Sequence, residues 1–452
     1  MQKTVNSNNF LIKISGLFLA ALFILNTSFG NAVMNITLFG LPANQLFIGL
    51  FLILLGVFNL IKIPRGAPLF LYVWLVFTLF IWLPVGFLNY GIVAGRDATQ
   101  VLDALVFLLA FTVLFHMSNH QITKSLEKII VIGITLELLD RIYLFQFTNI
   151  TVSNAQVVGL FGGTIGSHMI IMAALWFGVM MKGLSSRTIR TYLILMSFLL
   201  ILLHQNRFLY VSAIFTLLFY LYLVRKSFFN KSTFKALGIL ILLVLSAEFL
   251  LVPLMQSLFI LFPNSDYLSS DRLFKFGIES FSLIGILEHL LTGFGVESES
   301  FSGAARGVFH RLEWWTRLFA IMFSDVQTLL FGMGYGMPLT EAFIITELRE
   351  PHNSYISVFC RNGLILFIIW ITFHVFTALK SISIIRKNNN QMHEVRLLII
   401  SLLVTTSTYI KALVEPAFEL PPTSITTYMF IALSTLMLAR LKMIKTNKGS
   451  VG

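Results

Sequence analysis

The sequence is short of what a soluble domain needs to keep its surface in water. Charged residues make up 12% of the chain, about half the usual share. Acidic residues are scarcer still, 20 Asp and Glu against 32 Lys and Arg. A single cysteine, Cys360, excludes an intrachain disulfide framework. Alternating apolar and polar runs are missing, which excludes a closed β-barrel. No internal repeat is evident, and this weighs against an inverted-repeat transporter.

What fills the space is apolar residues, 57% of the chain, with a mean hydropathy of +0.86. A bilayer core needs roughly 20 apolar residues per helical crossing. Continuous runs near 10–29, 43–61, 68–88, 101–117, 128–147, 157–181, 190–205, 207–224, 236–256, 353–379, 395–414 and 424–441 meet or approach that length. The expected fold is therefore an all-α polytopic membrane protein with about 12 transmembrane helices and both termini on one side. Residues 1–30 share features with a signal peptide, with Lys3, an apolar centre and Ser28-Phe29-Gly30. An even number of spans favours an uncleaved first helix instead.

Charge assigns the sides. Of the 32 Lys and Arg, 21 fall on one face, among them Lys62, Lys124, Lys182, Arg225, Arg386, Arg396 and Arg440. Only Glu127 and Glu394 oppose them there. By the positive-inside rule this face is cytoplasmic, and the basic excess reflects topology, not nucleic-acid binding. The chain then divides into helices one to nine (1–256), one long extracytoplasmic loop (257–351), and helices ten to twelve with a cytoplasmic tail (352–452). Phe281–Leu291 and Arg311–Phe331 have helical periodicity, so short amphipathic helices are expected over the bundle.

Polar groups collect on the outer side. Glu350-Pro351-His352-Asn353-Ser354-Tyr355 closes the long loop, with Gly363 and an apolar run beyond it. Pro351 suits a helix start, Asn353 or Ser354 can cap it, and the His352 imidazole titrates near neutral pH. Arg207 follows His204-Gln205-Asn206 in a polar hairpin between two apolar spans. Its planar donor fork fits phosphate oxygens; the competing role is a snorkelling anchor. Arg311 stands one helical turn before Trp314 and Trp315, with Arg317 following, so one face can pair cations with an aromatic platform. Interfacial anchoring by tryptophan is the plainer role. Gly332, Gly334 and Gly336 fit a tight turn. Arg96, Asp140 and Arg141 are further candidates for lining a cavity, since membrane charges usually face one another or a polar space. Asp140 and Arg141 are chain neighbours and do not face each other, so each needs another partner. The first outer loop, about 30–44, holds Asn31, Asn35 and Asn44 but no acidic residue. Outside, no His and carboxylate spacing suits a metal, and a metal-independent, cofactor-free mechanism is expected.

His352-Asn353, nine residues, then Gly363 resembles the signature of the bacterial O-antigen ligases and the related O-antigen polymerases. Arg207, Arg311 with its tryptophan, and the Gly332/Gly334/Gly336 turn resemble the same superfamily over roughly 200–380. The resemblance implies a C-type glycosyltransferase of the bacterial inner membrane, acting at its periplasmic face on undecaprenyl-diphosphate-linked glycans. It implies diphosphate binding by Arg207 and Arg311, and action of His352 at the acceptor hydroxyl. A flippase or chain-length regulator of the same pathway would be a natural partner. Leu364-Ile365-Leu366 after the glycine and Arg361-Asn362 before it depart from the ligase pattern. They favour the polymerase, with ligase the alternative and a polysaccharide transporter behind both.

Overall fold

In hydrocarbon, each backbone N–H and C=O needs an internal partner, and a helix supplies these within one segment. The computed structural model is helical in keeping with this, apart from a two-residue antiparallel ladder of Thr37–Leu38 with Leu41–Pro42. It describes residues 2–25, 37–38, 41–147, 167–204, 207–224, 303–337, 339, 353–388, 392–413, 415 and 417–449. In chain order the helices begin with α1 (Gln2–Leu25), α2 (Ala43–Val57) and α3 (Pro68–Tyr90), the last containing a π turn over Thr78–Trp82. Next come α4 (Val93–Asp97), α5 (Thr99–Ala104), α6 (Val106–Phe115) and α7 (Asn119–Phe147). They continue as α8 (Ser167–Met180), α9 (Arg187–His204) and α10 (Arg207–Val224). The last are α11 (Gly303–Ser324), α12 (Val326–Phe331), α13 (Ser354–Lys387), α14 (His393–Ala412) and α15 (Pro421–Gly449).

Four of the described helices are long and apolar enough to cross a membrane: Pro68–Tyr90, Ser354–Lys387, His393–Ala412 and Pro421–Ile444. The hydropathy runs predict about twelve. The difference is one of length, because Ala43–Val57, Gln100–Phe115, His168–Met180 and Val211–Leu223 are shorter apolar helices. At 1.5 Å per residue, a 15-residue helix covers about 22 Å of a core about 30 Å thick. The run at 236–256 and the amphipathic stretch Phe281–Leu291 lie outside the described residues.

Lipid contact is written on α3. Leu88 is 87% exposed and Phe80 75%, with Leu69, Val76 and Val85 also bare. In water each would forgo roughly 1.5–3 kcal/mol of burial, so this face belongs in hydrocarbon. Helix α15 is the opposite case, packed against α14, α6 and α5 and buried on most faces. Its neighbour α14 carries buried Ser401, Thr405, Ser407 and Thr408, of which Ser401 and Thr408 bond across to α15, at Phe430 O and Thr427, and are small enough for close approach. Their hydroxyls are satisfied locally: Thr405 donates to Ser401 O, and Ser401 to Phe430 O across the helix pair.

Basic residues meet at one end of the bundle. Arg440 donates to Asn119 and to the carbonyls of Leu114 and Met117, while Asn119 donates to Glu394. Arg396 reaches Lys182 O, Lys62 lies over Phe115, and Arg386 lies over the ring of Tyr222. The set that the charge pattern puts on one face thus includes groups joined at one end.

Within the long polar insertion, α11 is a continuous 22-residue helix, longer than the short elements expected there. It stops at Asp325, whose exposed carboxylate accepts the Thr328 amide and starts α12. That backbone bond holds the carboxyl below its usual range. Trp315, Leu318 and Met322 pack with Ile356, Phe359 and Cys360 of α13, leaving Phe323 bare on the other side.

Candidate functional site

The chain around Gly363 is two helices and not one straight span. Gly363 has φ 71° and ψ 177° inside α13, a region essentially reserved for glycine. Straight helix would separate residues 355 and 370 by about 22 Å, and 359 and 367 by about 12 Å. Instead the rings of Tyr355 and Trp370 are 6.1 Å apart, and those of Phe359 and Phe367 are 5.7 Å apart. The segment Ser354 to Asn362 is therefore folded back toward the segment that follows Gly363. The hydropathy run at 353–379 is thus a membrane-length helix broken near its start, at Gly363.

The break is filled by the other glycine motif. After α12, Met333 N donates to Cys360 O at 2.7 Å and Gly334 N to Arg361 O at 3.0 Å. These amides satisfy carbonyls that the break at Gly363 would otherwise strand. The two backbones touch: a Cβ on Gly332 would meet Arg361 O and Gly363 N at 2.5 Å. On its other side the turn rests on α3, where Gly86 admits Tyr335 O and Trp82 meets Phe331 edge-on at 6.1 Å.

Side chains then lock the junction. Arg361 is fully buried, its Nη1 donating to Gly334 O and Met337 O, both at 3.3 Å. Its Nη2 stands 3.5 Å from Asp97 Oδ2 on α4, and its guanidinium lies over the Tyr335 ring. Asn362 Nδ2 donates to Val358 O at 3.1 Å and to the Tyr335 hydroxyl at 3.0 Å. The Thr78 hydroxyl donates to Asn362 Oδ1 at 3.3 Å, from the first residue of the π turn. Asp97 thus pairs with Arg361 across the fold.

The start of α13 is tied to the α14–α15 connection. Asn353 is the N-cap: its Oδ1 accepts Ile356 N at 3.0 Å while its Nδ2 donates to Leu413 O at 2.8 Å. Ser354 donates to Glu419 Oε2 and accepts Phe418 N. Lys411, buried, pairs with Glu415 at 3.4 Å. A capped helix start beside a cation and two carboxylates suits a hydroxyl-rich ligand more than an anionic one. Asn353→Ala is expected to cost about 1–2 kcal/mol through the lost cap. Asn353→Asp keeps the cap and loses only the donor to Leu413, so thermal unfolding in nanodiscs should place it between wild type and alanine.

Of the residues singled out from the sequence, Asn353 lies in this assembly. Trp314 and Arg317 are on α11, with Trp314 half-buried and Arg317 exposed. Arg96 lies in α4, Arg207 opens α10 and Arg311 lies in α11; the side chains of these three, and His352 altogether, are outside the described set. Asp140 and Arg141 are buried on α7, where Arg141 Nε pairs with Glu137 at 3.5 Å, one helical turn away. Helix α7 packs chiefly on α8, α9 and α1, so this group is placed apart from the Gly363 junction. The sequence reading passed over Asp97, Asn362, Tyr335, Lys411 and Glu419 as site residues. A signal was available for Asn362 and Arg361, because strongly polar residues in an apolar run are costly unless paired. Compared with known proteins, the chain is matched by no family model and by no curated sequence.

Proposed function

We propose that the protein is a polysaccharide polymerase of the bacterial inner membrane. It transfers an undecaprenyl-diphosphate-linked glycan to a sugar hydroxyl of another lipid-linked repeat unit, on the periplasmic side. The observation that carries this reading is the union of two motifs: the turn Gly332–Gly336 is bonded to the chain at Gly363. That union fixes α11, bearing Arg311, against the helix that begins just after His352. On this reading the basic end faces the cytoplasm.

The reaction needs few groups. The acceptor oxygen bonds to the anomeric carbon as the bond to the diphosphate oxygen breaks, and the lipid diphosphate leaves with the electron pair. Arg207 and Arg311 bind that diphosphate and stabilise its growing charge. His352 takes the proton from the acceptor hydroxyl late in the step. A ligase would use the same donor chemistry and pass the glycan to lipid A-core. The Arg361-Asn362-Gly363-Leu364 sequence favours the polymerase, because it departs from the ligase pattern.

His352→Ala and Arg207→Ala are each expected to abolish glycan transfer, by at least about a hundredfold, while membrane insertion is retained. Full activity in either variant removes that residue from the mechanism. Deletion of the gene, followed by electrophoresis of surface lipopolysaccharide, separates the acceptors. One repeat unit left on core means polymerase; bare core with accumulated lipid-linked polymer means ligase; an unchanged profile overturns both.

A further inference from the structure

A second polar centre lies apart from the Gly363 junction, where α2, α5 and α15 meet. Asp103 is fully buried, and both of its carboxylate oxygens accept hydrogen bonds, from Gln45 Nε2 at 3.2 Å and from the Ser424 hydroxyl. Among the described residues no basic side chain forms an ion pair with it. Neutral donors alone leave a negative charge in a low-dielectric interior, and such charges are paired or coordinate metals.

The surroundings hold further buried polar atoms. Gln100 is one helical turn before Asp103 on α5, 2% exposed, and both its amide oxygen and nitrogen lack hydrogen-bond partners. Asn44, beside Gln45 on α2, is 7% exposed with its amide equally unmatched, and the Thr423 hydroxyl beside Ser424 is buried without a partner. Leaving this many buried polar atoms unpaired is expensive. Three helices thus bring the Asp103 carboxylate, the Gln45 amide and the Ser424 hydroxyl to one junction, with Gln100 one turn away on the carboxylate's own helix, a hard-ligand set suited to a small cation.

We propose that this junction is a sodium site, with Asp103 as the charged ligand and Gln45, Gln100 and Ser424 supplying neutral oxygens. The ion stands apart from the transfer chemistry; it clamps α2, α5 and α15 together. A single proton on Asp103 would cancel the charge but satisfy only one oxygen, whereas a cation draws several inward at once. The site also borders the broken helix, since Tyr428, one turn along α15 from Ser424, accepts a hydrogen bond from Trp370 of α13.

The test is thermal unfolding of the full chain in nanodiscs, in sodium chloride or choline chloride at constant ionic strength. Sodium is expected to raise the midpoint by about 3 °C or more between about 1 and about 100 mM, saturably. Asp103→Asn should lose that rise, and Gln100→Met, close in volume and unchanged in charge, should shift it to higher sodium. Radioactive sodium should bind at one per chain in the wild type, and this direct readout stands whether or not Asp103→Asn folds. Equal midpoints in the two salts, an undiminished sodium response in both variants, or a midpoint raised only by acidification would overturn the proposal. The last result would assign a proton to Asp103 instead.

Discussion

Gly363→Ala is expected to destabilise the folded bundle by about 2–6 kcal/mol, from a strained backbone and overpacking together. The added Cβ would stand 2.4 Å from Leu330 O and 2.5 Å from Gly332 N. Both are backbone atoms, fixed by the hydrogen bonds that hold the turn to Cys360 and Arg361, so neither can swing aside as a side-chain tip would. Gly334→Ala is the control. It has φ 77°, so alanine there pays for the left-handed backbone, about 1–3 kcal/mol, but meets no atom within 4 Å. Chemical or thermal unfolding in nanodiscs should rank the two, with Gly363→Ala clearly the worse. Equal losses would mean that the close approach of the two glycine backbones contributes nothing beyond conformational strain. On the proposed function, glycan transfer should fall further in Gly363→Ala than in Gly334→Ala, because the junction relates α11 to the start of α13.

The sequence made parts of this legible and hid others for physical reasons. Apolar runs identify the helices, and the positive excess groups Lys62, Lys182, Arg386, Arg396 and Arg440, because both signals are properties of single residues. The glycine turn was legible too: alternate glycines have few uses other than positive φ or close approach. What hydropathy averages away is a break inside a run. Gly363 sits among Cys360, Leu364, Ile365 and Leu366, and a window over these residues scores them as one span. The number of crossings was overstated for the same reason, since a window registers apolar content and not where a helix stops. Pairings across the fold were beyond reach. Asp97 and Arg361 lie far apart in the chain, and only three-dimensional packing shows them meeting. Lys411, within a predicted span, announced that a partner must exist, and Glu415 one turn on supplies it.

The Arg361–Asp97 pair should be the most sensitive charge pair at the junction. Its side chains are essentially without solvent contact, at 0% and 3% exposure, so screening gives little relief. Removing one member of such a pair leaves a buried charge uncompensated, at about 3–5 kcal/mol. The two single variants should nevertheless differ. Asp97→Asn leaves the guanidinium with Gly334 O, Met337 O and the Tyr335 face still around it. Arg361→Met leaves the Asp97 charge and takes the donor from both carbonyls of the glycine turn at once, so it should be the more damaging. Combining the two removes both charges and restores part of the loss, and unfolding of the four proteins in a double-mutant cycle should show a coupling of about 1–3 kcal/mol. Full additivity would mean that the 3.5 Å approach contributes no net stability. Arg361 would then act only by gathering the turn's carbonyls, which Arg361→Lys could not reproduce, because one ammonium lacks the planar fork that reaches Asp97 and the turn together.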